Sequence, residues 1–238
     1  MNILIWNCHQ AFRRKCLVTG VFDFDIAIIP ESEKPALVNF PEEFISKYHY
    51  CWRGKSKYKG IGLFAKKQIF SFESNRQLEQ EDLQYVVLKT ITSQNAAFAL
   101  HAIWACQANT STFRYIGQVW QYLNRNKDMI DYDNSIFAGD FNSNSRWDAH
   151  HQHGNHSDVV KLLNDRNVSS AYHAYHDEQQ GKESINTFYL QKNTTKGYHI
   201  DYFFLPNRLI PKITKMHIGK GADWLQYSDH MPMYLEVR

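Results

Sequence analysis

Eight short apolar runs set the limits on how this chain folds: NILIW (2–6), DIAIIP (25–30), GIGLFA (60–65), QYVVLKT (84–90), AAFALHAIW (96–104), SIFAG (135–139), HIDYFFL (199–205) and MPMYLEV (231–237). They are largely apolar at successive positions, so both faces of each expected strand are covered. Strands of that kind need packing partners above and below, which points to a layered α/β domain with more strands than one sheet holds. Between them, segment 111–130 sets Phe113, Ile116, Trp120 and Leu123 at helical spacing. A shorter helix is expected over DVVKLLNDRN (158–167), with Ser157 as its N-cap and Val159, Val160, Leu162 and Leu163 inward. Segments 10–20 and 34–47 carry fainter helical patterns.

No linker, repeat or low-complexity stretch divides the 238 residues, so residues 1–238 are expected to form one domain. No run approaches the roughly 18 apolar residues of a membrane helix. The net charge of +3 suits a polyanionic partner but falls short of a DNA-coating protein. Cys8, Cys16, Cys51 and Cys106 form no CxxC pair and are expected as free thiols. The opening MNILIWNC lacks the basic region of a secretory leader, so the expected location is the cytoplasm. Nothing marks an obligate protein partner.

The polar residues stand where the apolar runs stop. Asn7 follows the first run and Glu31 the second, and His101 lies inside the fifth. Asp140 and Asn142 close the sixth; in an extended chain, residues two apart project from the same face. Asp201 sits between Ile200 and Phe203, where an unpaired charge is costly. Asp229 and His230 precede the last run. Singly, each also fits a turn residue, a solvated acid, a salt-bridge partner or a core histidine. Together they fit one rim of a sheet, where sites form. Carboxylates and amides without thiolates suit a hard cation such as Mg²⁺ or Mn²⁺. A histidine held by a buried aspartate can serve as acid or base. Metal-assisted phosphoester hydrolysis uses this inventory.

In order, Asn7, Glu31, GDFN (139–142), HIDYFF (199–204) and SDH (228–230) resemble the endonuclease/exonuclease/phosphatase superfamily, with YKGIGLFAK (58–66) and FALHAIW (98–104) at further family strands. The resemblance spans essentially the whole chain. It implies the DNase I-like fold, a four-layer αββα sandwich of two mixed β-sheets with outer helices. It also implies Glu31 as the main metal ligand, Asn7 in support, and Asp229 near the metal or a second metal position. Asp140 is implied to position or deprotonate the attacking water, and Asn142 to hold water and phosphate. Asp201 and His230 match the family's Asp–His pair, and His101 resembles a histidine near the leaving oxygen. The implied activity is a Mg²⁺- or Mn²⁺-dependent phosphodiesterase on DNA or RNA; a small nucleotide or lipid-headgroup phosphoester and a non-catalytic nucleic-acid-binding module are the alternatives.

For the substrate, Phe188 and Tyr198 fit a pocket wall and equally plain sheet aromatics. WRGKSKYKG (52–60) interleaves Lys55, Lys57 and Lys59 with Tyr58, as a phosphate-tracking loop or a solvated hairpin end would. Arg146 and Trp147 follow the Asp140 run closely enough to touch a substrate. CHQAFRRK after Asn7, and His199 before the Ile-Asp pair, depart from abasic-site enzymes. The stretch DAHHQHGNHSD (148–158), with His150, His151, His153 and His156, fits a softer metal site or a surface loop.

Overall fold

The structure, a computed structural model, describes residues 1–73, 86–92, 97–107, 113–150 and 153–238, with residues 73, 86–90 and 150 in backbone only. Its strands are β1 (Asn2–Ile5), β2 (Ile26–Ser32), β3 (Tyr48–Ser56), β4 (Lys59–Lys66), β5 (Ser71–Glu73), β6 (Val86–Thr92), β7 (Ala97–Trp104), β8 (Ser135–Asp140), β9 (Val168–Ser170), β10 (Phe188–Tyr189), β11 (Gly197–Tyr198), β12 (Asp201–Pro206), β13 (Ile213–Ile218) and β14 (Met233–Val237). The helices are α1 (Glu42–Ile45), α2 (Ile116–Arg125), α3 (His156–Asn164), α4 (Ala171–His176) and α5 (Gly221–Trp224).

Two six-stranded sheets run in the orders β13-β14-β1-β2-β4-β3 and β5-β6-β7-β8-β12-β9, and β10-β11 forms a separate ribbon. Both sheets are mixed, because β1–β2 and β7–β8 are parallel while their neighbours are antiparallel. This is the expected α/β sandwich.

Side-chain alternation along the second sheet sorts its residues into two cores. Leu100, Ala102, Ile136, Ala138, Phe203 and Leu205 join residues of β1, β2 and β4 in the main core. Their neighbours Ile103, Phe137, Tyr202 and Phe204 pack with Val119 and Leu123 of α2 and Val159 and Leu163 of α3. Each such apolar side chain, fully buried, contributes about 1.5–3 kcal/mol. This explains why the runs lack alternation: both faces are dry.

Several elements differ from expectation. The cap of helix α3 lies two residues before the expected Ser157: Asn155 accepts the Asp158 amide, and the Asp158 carboxylate accepts the Asn155 amide in a capping box. Segment 10–20 forms the 3₁₀ turns Phe12–Arg14 and Cys16–Val21, and 34–47 gives only Pro35–Leu37 and α1. His9, Gln10 and Ala11 in left-handed backbone, and Pro41 before α1, interrupt a longer helix there. Among the described residues no helix is long and apolar enough to cross a membrane.

Candidate active site

Strand pairing builds the centre. β12 runs antiparallel to β8 with Asp201 directly opposite Asp140. Both share the parity of the main-core residues of their strands, so both carboxylates lie at the end of the inter-sheet space, fully buried. Gly139 precedes Asp140 at φ 141°, and a Cβ there would collide with the Ile103 carbonyl. Only glycine fits, so the strand can carry Asp140 to the rim beside β7. Asn142 reaches Asp140 differently from the extended pairing expected of positions two apart. It turns back at φ 48°, and its backbone amide donates to Asp140 Oδ1 at 2.8 Å while its side-chain amide donates to Oδ2 at 3.2 Å. From the first sheet, the Asn7 side-chain amide donates to the same Oδ2 at 2.9 Å.

His230 completes the group from the loop before β14. Its Nδ1 meets Asp201 Oδ2 at 2.9 Å and its Nε2 stands 3.9 Å from Asp140 Oδ2. Three ties fix that loop: the Trp6 indole donates to the His230 carbonyl at 3.0 Å, Ser228 Oγ to the Asn7 carbonyl at 2.7 Å, and the Met231 amide to the Thr187 carbonyl at 2.7 Å. Thr187 Oγ1 in turn accepts the amides of Ile200 and Asp201, so one buried threonine ties both halves of the Asp–His pair. Burial opposes a charge on His230, yet Asp201 and Asp140 outweigh it and raise its pKa above the usual 6.5. Burial raises the Asp140 pKa; His230 opposes that shift and Asp201 adds to it. Asp201 Oδ1 is buried with no hydrogen-bond partner among the described residues, while its other oxygen meets His230 Nδ1.

The expected metal ligands are spread around this group. Glu31 lies in β2 at φ 61°, where the β2–β4 register shifts, and its carboxylate meets Lys59 Nζ at 3.2 Å. Asn7 is committed on both ends, because its Oδ1 accepts the His9 amide at 3.1 Å. Asp229 pairs with His9 Nδ1 at 3.2 Å. Ligand atoms of Asp140, Asp201 and His230 all lie within 4.8 Å of one another, close enough to hold an ion. Their hydrogen bonds join His230 to Asp201, and Asp140 to Asn7 and Asn142. The carboxylate and amide oxygens of Glu31, Asp140, Asp229, Asn7 and Asn142 are hard donors of the kind that suit Mg²⁺ or Mn²⁺.

Two cavities flank Asn142. One of about 530 Å³ is lined by Glu31, Lys55, Lys59, Trp104, Tyr115 and Asn142. The other, about 250 Å³, continues past Tyr115 and Asn142 to Ser143, Trp147, Asp148 and His156. An aromatic wall leads from the acid group: Phe188 lies 4.7 Å from the His230 ring, Tyr198 6.4 Å from Phe188, and Trp147 5.0 Å from Tyr198. Trp104, Tyr115 and Thr187 escaped the sequence reading. The signal for Trp104 was parity, since it occupies the β7 position paired with Asp140.

Other expected residues are not brought in. His101 has the opposite parity to Trp104 and faces the helices, with Nδ1 2.7 Å from the Tyr122 hydroxyl and Nε2 3.2 Å from Ser135 Oγ. It is a satisfied core histidine stacked on Phe137, not a group at the leaving oxygen. Arg146 is exposed and donates to the Gly181 carbonyl at 2.7 Å. Tyr58 is half exposed at the β3–β4 turn under Lys57, outside both cavities, while Lys55 and Lys59 of that hairpin do reach one. In the histidine-rich stretch, His156 spends both ring nitrogens on Ser143 and Gln180, which leaves none for a metal. His151 and the His150 side chain lie outside the described residues.

The sequence model of the Endonuclease/Exonuclease/phosphatase family matches residues 5–230. No curated protein is detectably similar in sequence. Among solved structures, the 3'-5' exonuclease NExo from Neisseria meningitidis superposes with a TM-score of 0.71 at 17% identity, covering 100% of this chain and 99% of that one. An AP endonuclease from Archaeoglobus fulgidus gives 0.71 at 15% identity, again with 100% and 99% covered. A Neisseria 3' phosphatase NExo structure, bound to a product DNA hairpin, gives 0.68 at 15% identity with the same coverage. These likenesses establish a shared fold, and the match over 5–230 decides the family. The chain belongs to the endonuclease/exonuclease/phosphatase family of phosphoester hydrolases.

Proposed function

We propose that the protein is a divalent-cation-dependent phosphodiesterase that cleaves DNA or RNA. The observation that carries this reading is the facing of Asp140 and His230 across 3.9 Å, one group poised to take a proton and the other to give one. Asp140 accepts the proton of the attacking water, which the Asn142 side chain orients. His230, kept cationic by Asp201, donates to a non-bridging phosphoryl oxygen as charge develops there. Glu31 would hold the cation, and a cation there would supply charge neutralisation for the phosphate and leaving oxygen. Asn7 keeps Asp140 aimed through its 2.9 Å bond.

Nucleic acid is the substrate class supported by the surroundings. Lys55 and Lys59 supply positive charge at one end of the paired cavities, and Phe188, Tyr198 and Trp147 supply stacking surface beside His230. The structural neighbour bound to a product DNA hairpin agrees with that class.

The test is a cleavage panel of plasmid, single-stranded DNA, RNA and a chromogenic phosphodiester, with Mg²⁺ or Mn²⁺ and with EDTA. Cleavage of a nucleic acid, stopped by EDTA and by Asp140→Asn or His230→Ala, supports the proposal. Activity that survives both substitutions overturns the site. Turnover of monoesters alone overturns the nuclease reading, and nucleic-acid binding without turnover in either metal overturns the enzyme.

A further inference from the structure

Lys59 meets the carboxylate proposed above to hold the cation. Its ammonium is 3.2 Å from Glu31 Oε2 and 5.4 Å from the Trp104 ring centroid, and all three residues line the larger cavity. The fold enforces the contact. Lys59 opens β4, adjacent to the residue paired with Ser32, and the register shift at Glu31 turns the acid toward it. A carboxylate with 15% side-chain exposure thus keeps a neutralising partner that is itself 43% exposed. We infer that Lys59 is a resident counter-ion for Glu31, which a divalent cation must displace before the centre is loaded.

A divalent cation bound to a carboxylate sits about 2.0–2.6 Å from its oxygen. An ammonium 3.2 Å from that oxygen would then lie within a few ångström of a dication, a repulsive arrangement with little water between. The two therefore compete for Glu31. Exchange is open to the lysine, because its own side chain is 43% exposed and can swing into solvent. In the pair the ammonium also stands 5.4 Å from the Trp104 ring centroid, a cation–π contact held at the same time as the Glu31 contact. The consequence is a lowered apparent metal affinity. The pair also spares the metal-free protein an unneutralised, mostly buried carboxylate.

This inference rests on the metal-dependent reading above and is tested without turnover. Mn²⁺ is titrated calorimetrically into the full chain as wild type, Lys59→Met, Glu31→Gln and the double variant. Lys59→Gln serves as a second neutral replacement should the methionine perturb folding. The expected result is a five- to tenfold gain in Mn²⁺ affinity for the neutral Lys59 variants, about one pK unit, which disappears when Glu31 is also replaced. If Glu31→Gln weakens Mn²⁺ binding but neither Lys59 variant tightens it, the counter-ion role is wrong and the metal centre stands. If Glu31→Gln leaves Mn²⁺ affinity unchanged, the metal centre itself is wrong, and the counter-ion role falls with it.

Discussion

Two buried histidines on opposite sides of the second sheet show how one side chain is turned to different uses. His101 lies under α2, stacked on Phe137 and bonded to Tyr122 and Ser135. His230 lies at the rim between the sheets, bonded to Asp201 and facing Asp140. Both are shut away from water. Burial alone pushes the His101 pKa down to about 3, so it stays neutral. The same burial is overridden at His230 by two carboxylates, and its pKa rises. Neutral hydroxyl partners make a structural strut; anionic partners make an acid.

The sharpest way to break that contrast is at the rim. Replacing His230 by Ala, or Asp140 by Asn, should lower kcat by about 10²–10⁴-fold, the range ascribed to a lost general acid or base. Single-turnover cleavage measures the loss, and a residual rate within tenfold of wild type contradicts the assignment. Next comes Asp201→Asn, which keeps the shape but removes the anion. Activity should form a bell, rising as the acid group around Asp140 ionises above the ordinary carboxylate range and falling as His230 loses its proton above 6.5. Without Asp201 the alkaline limb should move to lower pH, read from kcat/KM against pH. An unmoved limb would separate His230 from that ionisation.

A smaller effect is expected at the wall. Phe188→Ala removes the ring 4.7 Å from His230 and should raise KM about tenfold with less change in kcat, as loss of one stacking contact does. Steady-state kinetics on a short oligonucleotide measures it, and an unchanged KM removes Phe188 from the binding surface. Smallest of all on activity is His101→Leu, which should leave kcat/KM within about threefold while costing about 1–3 kcal/mol of stability through the stranded Tyr122 hydroxyl. The two histidines also act on stability with opposite sign. A depressed pKa means that the unfolded chain binds the proton more tightly, so the His101 contribution is lost as pH falls from 6.5 toward about 3. His230, with a raised pKa, contributes fully below 6.5 and loses that contribution as pH climbs through its higher folded value. Urea midpoints across pH should therefore flatten on the acid side for His101→Leu and on the alkaline side for Asp201→Asn.

The same contrast explains what the sequence disclosed. Runs such as SIFAG and HIDYFFL were legible because both faces are buried, and Asp140 and Asp201 stood out as charges at their ends. Edge strands were not. β3 (YHYCWRGKS) and β13 (ITKMHI) lie at opposite edges of the first sheet with half-exposed, polar faces that resemble loops. Within the site, residues at strand ends were found, while errors arose where face decided the outcome. One step of alternation sends His101 beneath the helices and Trp104 into the cavity. Asn142 stands beside Asp140 through a left-handed turn in place of an extended pair, which nothing in the local sequence signals. The Glu31–Lys59 contact depends on a register shift between β2 and β4, which no local pattern announces.

The claim on which the rest depends is that Asp201 and Asp140 hold His230 as a cation in the resting protein. ¹⁵N-detected imidazole NMR of the metal-free chain at pH 7.5 reads it directly. The account predicts imidazolium shifts for His230, a neutral ring for His101, and loss of the His230 charge in Asp201→Asn; a neutral His230 in the wild type would contradict it.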